Sequence, residues 1–300
     1  MRTSLRKPIP ETGWVQVVDI SLFFSSPLHC LRKTRAFSKL LHSRFNKLKL
    51  CDIGYRFPVA IRPLTHASIR WNKNNIEPEI TNLFRLIIGE LNKMKRSITF
   101  FDVGANYGRY AWLISESNPD SAIIAFEPDP DNIELLHITV SNSDLKNVQI
   151  KEIALSDKAG QVRFHKDSHT SATGMISNGE IPWVEKYLGH TVSTINVQRE
   201  TLDNFVTEQT KPHLIKIDVE GHENEVLRGG RHCLKKYNPL LIIESFPPKQ
   251  KQVIDFLRNL GYSVCDAERS ESVGTDTNNL FAWHPNGPLA ESTILKILES

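Results

Sequence analysis

The chain has 300 residues, 40% hydrophobic and 24% charged, which is room for one large domain or two modest ones and argues against a fibrous or low-complexity protein. A formal net charge of +3 gives no electrostatic sign of a nucleic-acid partner. The four cysteines, Cys30, Cys51, Cys233 and Cys265, are far apart and form no CxxC pair, so neither a disulfide framework nor a zinc site is expected.

The charge is unevenly placed. Residues 1–50 hold ten Lys or Arg against Glu11 and Asp19, about +8, and leave the remainder acidic. The apolar stretch "WVQVVDISLFFSSPLHC" (14–30) is interrupted by Asp19 and serines and has no small-residue cleavage site. It reads as neither a membrane span nor a signal peptide, so a cytoplasmic protein is expected. "LRKTRAFSKLLHSRFNKLKL" (31–50) spaces Phe37, Leu40, Leu41, Phe45 and Leu48 helically with basic residues between. Such a helix packs on the domain with a solvated basic side, or lies on an anionic membrane as a peripheral contact. "RFPVAIRPLTHASIRW" could form a hairpin, and "EPEITNLFRLIIGELNKMKR" a helix leading into the core. Residues 1–95 are read as an N-terminal extension, and 96–290 as the main domain.

From residue 98, strand-like and helix-like runs alternate. "SITFFDVG", "SAIIAFEP", "NVQIKEIALS", "HLIKIDVEG", "PLLIIESF" and "NNLFAWHP" read as strands, and "GQVRFHK" as a short extended piece. "NYGRYAWLISES", "PDNIELLHITVSNS" (with Ile133, Leu136 and Val140 on one face), "HENEVLRGGRHCLKKY" and "KQVIDFLRNLGY" read as helices. The third of these should fray at Gly229-Gly230, and the last close at Gly261. Continuous apolar strands between helices predict an α/β, doubly wound, mostly parallel sheet. Residues 165–197 are rich in Ser, Thr, Gly and His, and read as a loop-rich insertion, either of the kind that covers a substrate site or an ordinary surface excursion.

The chemistry gathers at strand ends. Asp102-Val103-Gly104-Ala105-Asn106-Tyr107-Gly108 places a glycine turn between a strand and a helix, where open α/β sheets hold nucleotide-like ligands. No lysine follows Gly108, against a P-loop. Asn106 stands where a dinucleotide fingerprint has its second glycine, against a pyrophosphate cradle. D-x-G-x-N-x-G suits a cofactor that presents a carboxylate and an ammonium, such as S-adenosylmethionine. Glu127 ends the next strand, 23 residues after Gly104, where a carboxylate can accept from ribose hydroxyls. "KIDVEGHE" brings Lys216, Asp218, Glu220, His222 and Glu223 to the end of a later strand, with Lys216, Asp218 and Glu220 on one side by alternation. Glu244 is a further acid on the same rim.

Taken together, "FFDVGANYG", "AFEPDPDNIELL", "EIALSDKAGQVRF", "TLDNF", "LIKIDVEGHENEVLRGG" and "LLIIE" resemble the FkbM family of S-adenosylmethionine-dependent methyltransferases, over residues 98–246 and more weakly at "NNLFAW". The resemblance implies a class I methyltransferase (Rossmann-like) fold, a seven-stranded sheet whose last strand runs antiparallel. It implies O-methylation of a hydroxyl on a saccharide, glycolipid or natural-product acceptor. Asp102, Gly104, Asn106 and Gly108 match the cofactor loop, Glu127 the ribose acid, and Ala154-Leu155-Ser156-Asp157 the adenine wall, with Glu152 where an asparagine is common. Asp218, Glu220, Gly221 and Glu223 match the D-V-E-G-x-E signature.

The expected reaction is direct transfer from sulfonium to oxygen, with His222 or Asp218 as base, Lys216 as a polar orienter and Asp218 also facing the cofactor's positive end. No metal is predicted, since no spacing demands one. A nicotinamide-dependent oxidoreductase and a methyltransferase-like module that only binds a partner are the rival readings.

Overall fold

A computed structural model describes residues 46–66, 69, 76–94, 97–167, 174–176 and 192–299. The stretch of 31–50 up to residue 45, expected as a basic helix, lies outside them. Its last residues do not continue a helix: Lys49–Cys51 is a strand, β1. β1 pairs antiparallel with β2 (Val59–Ile61), so the hairpin expected within 56–71 is instead closed from the preceding segment.

The main sheet contains β3 (Thr99–Val103), β4 (Ala122–Phe126), β5 (Val148–Lys151), β10 (Leu214–Ile217), β11 (Leu240–Glu244), β12 (Ser263–Asp266) and β13 (Asn279–Trp283). Their order is β12-β13-β11-β10-β3-β4-β5. β10, β11, β3, β4 and β5 pair in parallel, while β13 lies antiparallel between β11 and β12. β12, "SVCD", is a strand that the sequence reading does not single out.

Alternation along the buried strands separates two cores. Phe100, Leu214, Ile242 and Phe281 face one side, where α1 (Pro78–Lys93), α2 (Arg109–Ser117), α3 (Pro130–Ser143) and α7 (Glu291–Leu298) pack. Phe101, Ile215, Leu241 and Leu280 face the other, under α4 (Glu223–Gly229), α5 (Arg231–Tyr237) and α6 (Gln250–Asn259). α1 buries Ile80, Leu83, Phe84, Ile87, Ile88 and Leu91, and Phe84 stacks on Tyr110 with ring centroids 4.5 Å apart. The described part of the N-terminal extension therefore shares the main core. α7, beyond residue 290, joins it through Ile294 and Ile297.

Local chemistry explains the element ends. Asp129 caps α3 by accepting from Asp131 N at 2.9 Å, with Pro130 at the first helical position. α3 buries Asn132, Leu135, Leu136 and Thr139, so its buried stripe shares Leu136 with the expected one, while Ile133 and Val140 are only part-buried. The helix expected over 222–237 is broken into α4 and α5 at the glycine pair. A Cβ on Gly229 would stand 2.0 Å from the Ser156 carbonyl oxygen. Asp203 of "TLDNF" then caps α5, accepting from His232 N at 3.0 Å and Cys233 N at 2.8 Å.

A second sheet, of order β6-β9-β7-β8, holds β6 (Ala154–Leu155), β7 (Gly160–Asp167), β8 (Met175–Ile176) and β9 (Val192–Glu200). "NVQIKEIALS" is thus two strands in two sheets. The described residues of 165–197 are largely strand where a loop is expected, because β7 and β9 pair antiparallel along their length. Their exposure is too uneven to leave an alternating pattern.

Candidate active site

β3 ends at the point where the parallel order reverses, between β4 and β10, which is where open α/β sheets bind ligands. A cavity of about 320 Å³ opens there. Gly104, Asn106, Glu127, Ala154 and Asp218 line it, as do Glu220 and Glu244.

The glycine loop is held by its backbone. Gly104 N and Ala105 N both donate to the Phe126 carbonyl at 3.0 Å, joining the ends of β3 and β4. Gly104 has φ +81, and a Cβ there would lie 1.9 Å from the Asp218 carbonyl oxygen. Asn106 adopts φ 52, and its amide donates to Glu127 Oε2 at 2.7 Å. Glu127 Oε1 accepts from Asp129 N at 2.8 Å. Burial pushes the Glu127 carboxyl up to about 7, against the pull of those amide donors.

Two residues expected at the cofactor stand behind the loop. Asp102 is 2% exposed and does not line the cavity; its Oδ2 accepts from Ala111 N at 3.0 Å in the first turn of α2. Burial pushes it up to about 7, with the Ala111 amide and Lys216 countering. Gly108 is also absent from the lining. It starts α2 at φ +93, and a Cβ would meet the Trp112 ring at 2.3 Å. Both residues shape the loop and do not face the cavity.

The expected catalytic set is divided. Asp218 lines the cavity, and its Oδ2 lies 3.4 Å from Lys216 Nζ. Lys216 is 1% exposed and sits beneath the lining, its ammonium 5.5 Å over the Tyr110 ring. Burial opposes its charge, but Asp218, then Glu244, Glu77 and Asp102, carry its pKa above the ordinary lysine value. His222 does not line the cavity. Its Nε2 lies 3.0 Å from Ser156 Oγ and its Nδ1 3.6 Å from Glu225. Glu220 (φ 50) and Gly221 (φ 89) reverse the chain after Asp218, which ends the strand alternation and carries His222 away. Burial lowers its pKa. Glu223 is buried too and folds back to accept from Gly221 N at 2.6 Å. Glu152, exposed, pairs with His137 at 2.8 Å, while Ile153 and Ala154 line the cavity.

Other lining residues escaped the sequence reading. Thr65, His66 and Glu77 reach the cavity from the N-terminal region, and Phe164, Gly174 and Ile176 from the second sheet. Glu77 Oε2 accepts from the Tyr110 hydroxyl at 2.5 Å and from Arg109 Nη1 at 3.0 Å. Burial lowers the His66 pKa to about 4, so its imidazole is neutral. Among the described residues, no group of three or more His, Cys, Asp or Glu is arranged to hold a metal ion.

A doubly wound sheet with β13 antiparallel, opened at its switch point over a glycine loop and an acid, is the class I methyltransferase fold. The profile of the methyltransferase FkbM domain matches residues 102–264. The chain belongs to that family. It is 28% identical over 179 residues to the hexuronic acid methyltransferase AglP of Haloferax volcanii, covering 57% of this chain and 64% of the relative. It is 27% identical over 143 residues to the 2-O-methyltransferase NoeI of Sinorhizobium fredii, covering 45% and 58%. The chain therefore spans less than two thirds of the length of these curated relatives. A crystal structure of a methyltransferase FkbM from Methylobacillus flagellatus superposes with TM-score 0.44 at 14% identity, covering 63% of this chain and 44% of that one.

Proposed function

We propose that the protein is an S-adenosylmethionine-dependent methyltransferase that methylates a hydroxyl on a saccharide, glycolipid or natural-product acceptor. The observation that carries this reading is the convergence of Gly104, Asn106, Glu127, Ala154 and Asp218 on one cavity from three strand ends and the adjoining β6. The names of the two relatives, a hexuronic acid methyltransferase and a 2-O-methyltransferase, support a sugar-type acceptor.

The residues present fit the cofactor. The cradle that a Cβ on Gly104 would fill lets a ligand reach the backbone. In this reading Gly104, Asn106 and Asp218 hold the methionine end, Asp218 as counter-charge to the ammonium. Glu127 retains lone pairs beyond its two amide bonds and receives the ribose hydroxyls. Ala154, with Ile153 and Leu155, gives the base an apolar wall. Asp102 and Gly108 act through the loop, holding α2 in register. S-adenosylmethionine supplies a methyl group already activated on a positively charged sulfur. The chain's own part is then to position the reactants, exclude water and remove one proton. Lys216 holds Asp218 in place from below as a buried counter-charge.

We also place the protein in the cytoplasm. Cys51, Cys233 and Cys265 are free thiols, as a reducing compartment favours. Among the described residues no helix is long and apolar enough to cross a membrane. A peripheral membrane contact through 31–50 stays part of this reading.

Calorimetry with S-adenosylmethionine, S-adenosylhomocysteine and NAD tests the proposal. Binding of the first two and not the third is expected. Binding of NAD alone would favour the oxidoreductase. Transfer of labelled methyl to a panel of hexoses, hexuronic acids and amino sugars then separates an enzyme from a module that only binds.

A further inference from the structure

Among the described residues five carboxylates line the cavity, and four are committed. Glu127 accepts two backbone N–H groups, from Asn106 at 2.7 Å and Asp129 at 2.8 Å. Glu77 accepts from Tyr110 and Arg109, Asp218 is paired with Lys216, and Glu220 is likewise engaged. Glu244 is different. It is part-buried at the end of β11 and opens onto the cavity, and its side chain makes no hydrogen bond and no ion pair with any described residue. β11 runs beside β10 in parallel register, Ile217 opposite Ile243, so Glu244 emerges next to Asp218 on the rim. Its oxygens open onto the cavity, with the buried Lys216 ammonium acting on them as an opposite charge, so they are available to a ligand.

Resting on the methyltransferase reading above, we propose that Glu244 takes the proton of the acceptor's hydroxyl during methyl transfer. As the acceptor oxygen bonds to the methyl carbon, that carbon's bond to sulfur breaks and the hydroxyl proton passes to a Glu244 carboxylate oxygen. The sulfonium charge and the carboxylate charge disappear together, so charge balances and two opposite charges in a poorly solvated space are annihilated. That makes the step more favourable than it would be in water.

The surroundings suit the role. Burial, then Asp218, push the Glu244 carboxyl well above the ordinary glutamate range; Lys216 pulls it back, and Glu220 and Glu77 add to the rise. Among the described residues, these four are the charged groups that act on it most, from β10, the loop beyond β10 and the start of α1. A carboxylate so placed is a stronger base than one in water, and a cation entering the cavity restores its ionised form. That last effect gives a test that needs no acceptor. S-adenosylmethionine and S-adenosylhomocysteine differ by the methyl group and the sulfonium charge that it creates.

Calorimetry of each ligand near neutral pH, in two buffers of different ionisation enthalpy, reads the protons released on binding. With the full-length protein, S-adenosylmethionine should release up to about one proton more than S-adenosylhomocysteine. In Glu244→Gln that difference should vanish while affinity for S-adenosylhomocysteine stays within about threefold, and methyl transfer to whichever panel sugar the native protein accepts should fall by at least about a hundredfold. An equal proton release for both ligands overturns the proposal, as does a difference that survives in Glu244→Gln. Loss of S-adenosylhomocysteine affinity in the variant also overturns it, since Glu244 would then hold the cofactor. If the native protein binds neither ligand, the methyltransferase reading itself fails, and that outcome is distinct from the others.

Discussion

Gly104 and Asp218 meet through backbone alone: a Cβ on Gly104 would stand 1.9 Å from the Asp218 carbonyl oxygen. The loop after β3 and the end of β10 therefore close on each other with no room for a side chain. Gly104→Ala has to push them apart and strain a residue at φ +81. A loss of about 1–3 kcal/mol in stability is expected, and at least a hundredfold, roughly, in S-adenosylhomocysteine affinity. Thermal melting and calorimetry read the two effects. Native affinity in the variant would show that the close approach does not shape the site.

Glu127 ties two loops together, accepting from Asn106 N at 2.7 Å and Asp129 N at 2.8 Å. Glu127→Ala strands both amides in a buried place, at a cost of about 1–3 kcal/mol for each unmet donor. Glu127→Gln keeps one acceptor oxygen and should lose less stability. Both should weaken S-adenosylmethionine binding, the alanine variant more. Equal melting temperatures for the two variants would argue against the amide bonds as the cause.

Asp102 titrates in the folded protein far from its unfolded value, raised from 3.8 to about 7 by burial. Its contribution to stability is complete below the unfolded pKa and is lost as pH rises through about 7. Asp102→Asn has no such titration and can still accept from Ala111 N. Its stability relative to the native protein should therefore climb between about pH 4 and about pH 8, by roughly 1.4 kcal/mol per unit of the pKa rise. Denaturant titrations of the ligand-free proteins at several pH values measure this. A gap that stays constant across that range would contradict the buried, raised carboxyl.

The strands of the main sheet are legible where both faces are buried. "TFFDV" and "LLIIE" are apolar nearly throughout because helices cover each side. β7 and β9 are not legible, because their pairing is long-range and their exposure leaves no clean period. The loop residues could be found from glycine spacing, but spacing cannot say which of them face a ligand. Asp102 and Gly108 belong to the motif and point into the start of α2. Glu77 reaches the cavity only through tertiary packing of α1, which no local pattern in 76–94 announces. For His222 the warning lay in Gly221, whose left-handed turn redirects the chain just before it.

His222→Ala separates two candidate bases. His222 lies outside the lining of the cavity, with Nε2 3.0 Å from Ser156 Oγ. Ser156 is fully buried beside Leu155, and its backbone N–H donates to the Glu200 carbonyl at 2.8 Å. The histidine thus braces the far side of the Ala154–Leu155 wall of the cavity. Removing it should cost about 0.5–1.5 kcal/mol of stability, the net worth of one ordinary hydrogen bond. Affinity for S-adenosylmethionine should change only a few-fold, and turnover should persist, because the proton of the acceptor goes to Glu244. Melting temperature, calorimetry and methyl-transfer rates on the same preparation test this. A fall in turnover of about a hundredfold or more with binding intact would be the signature of a lost general base. It would return that role to His222 and remove it from Glu244.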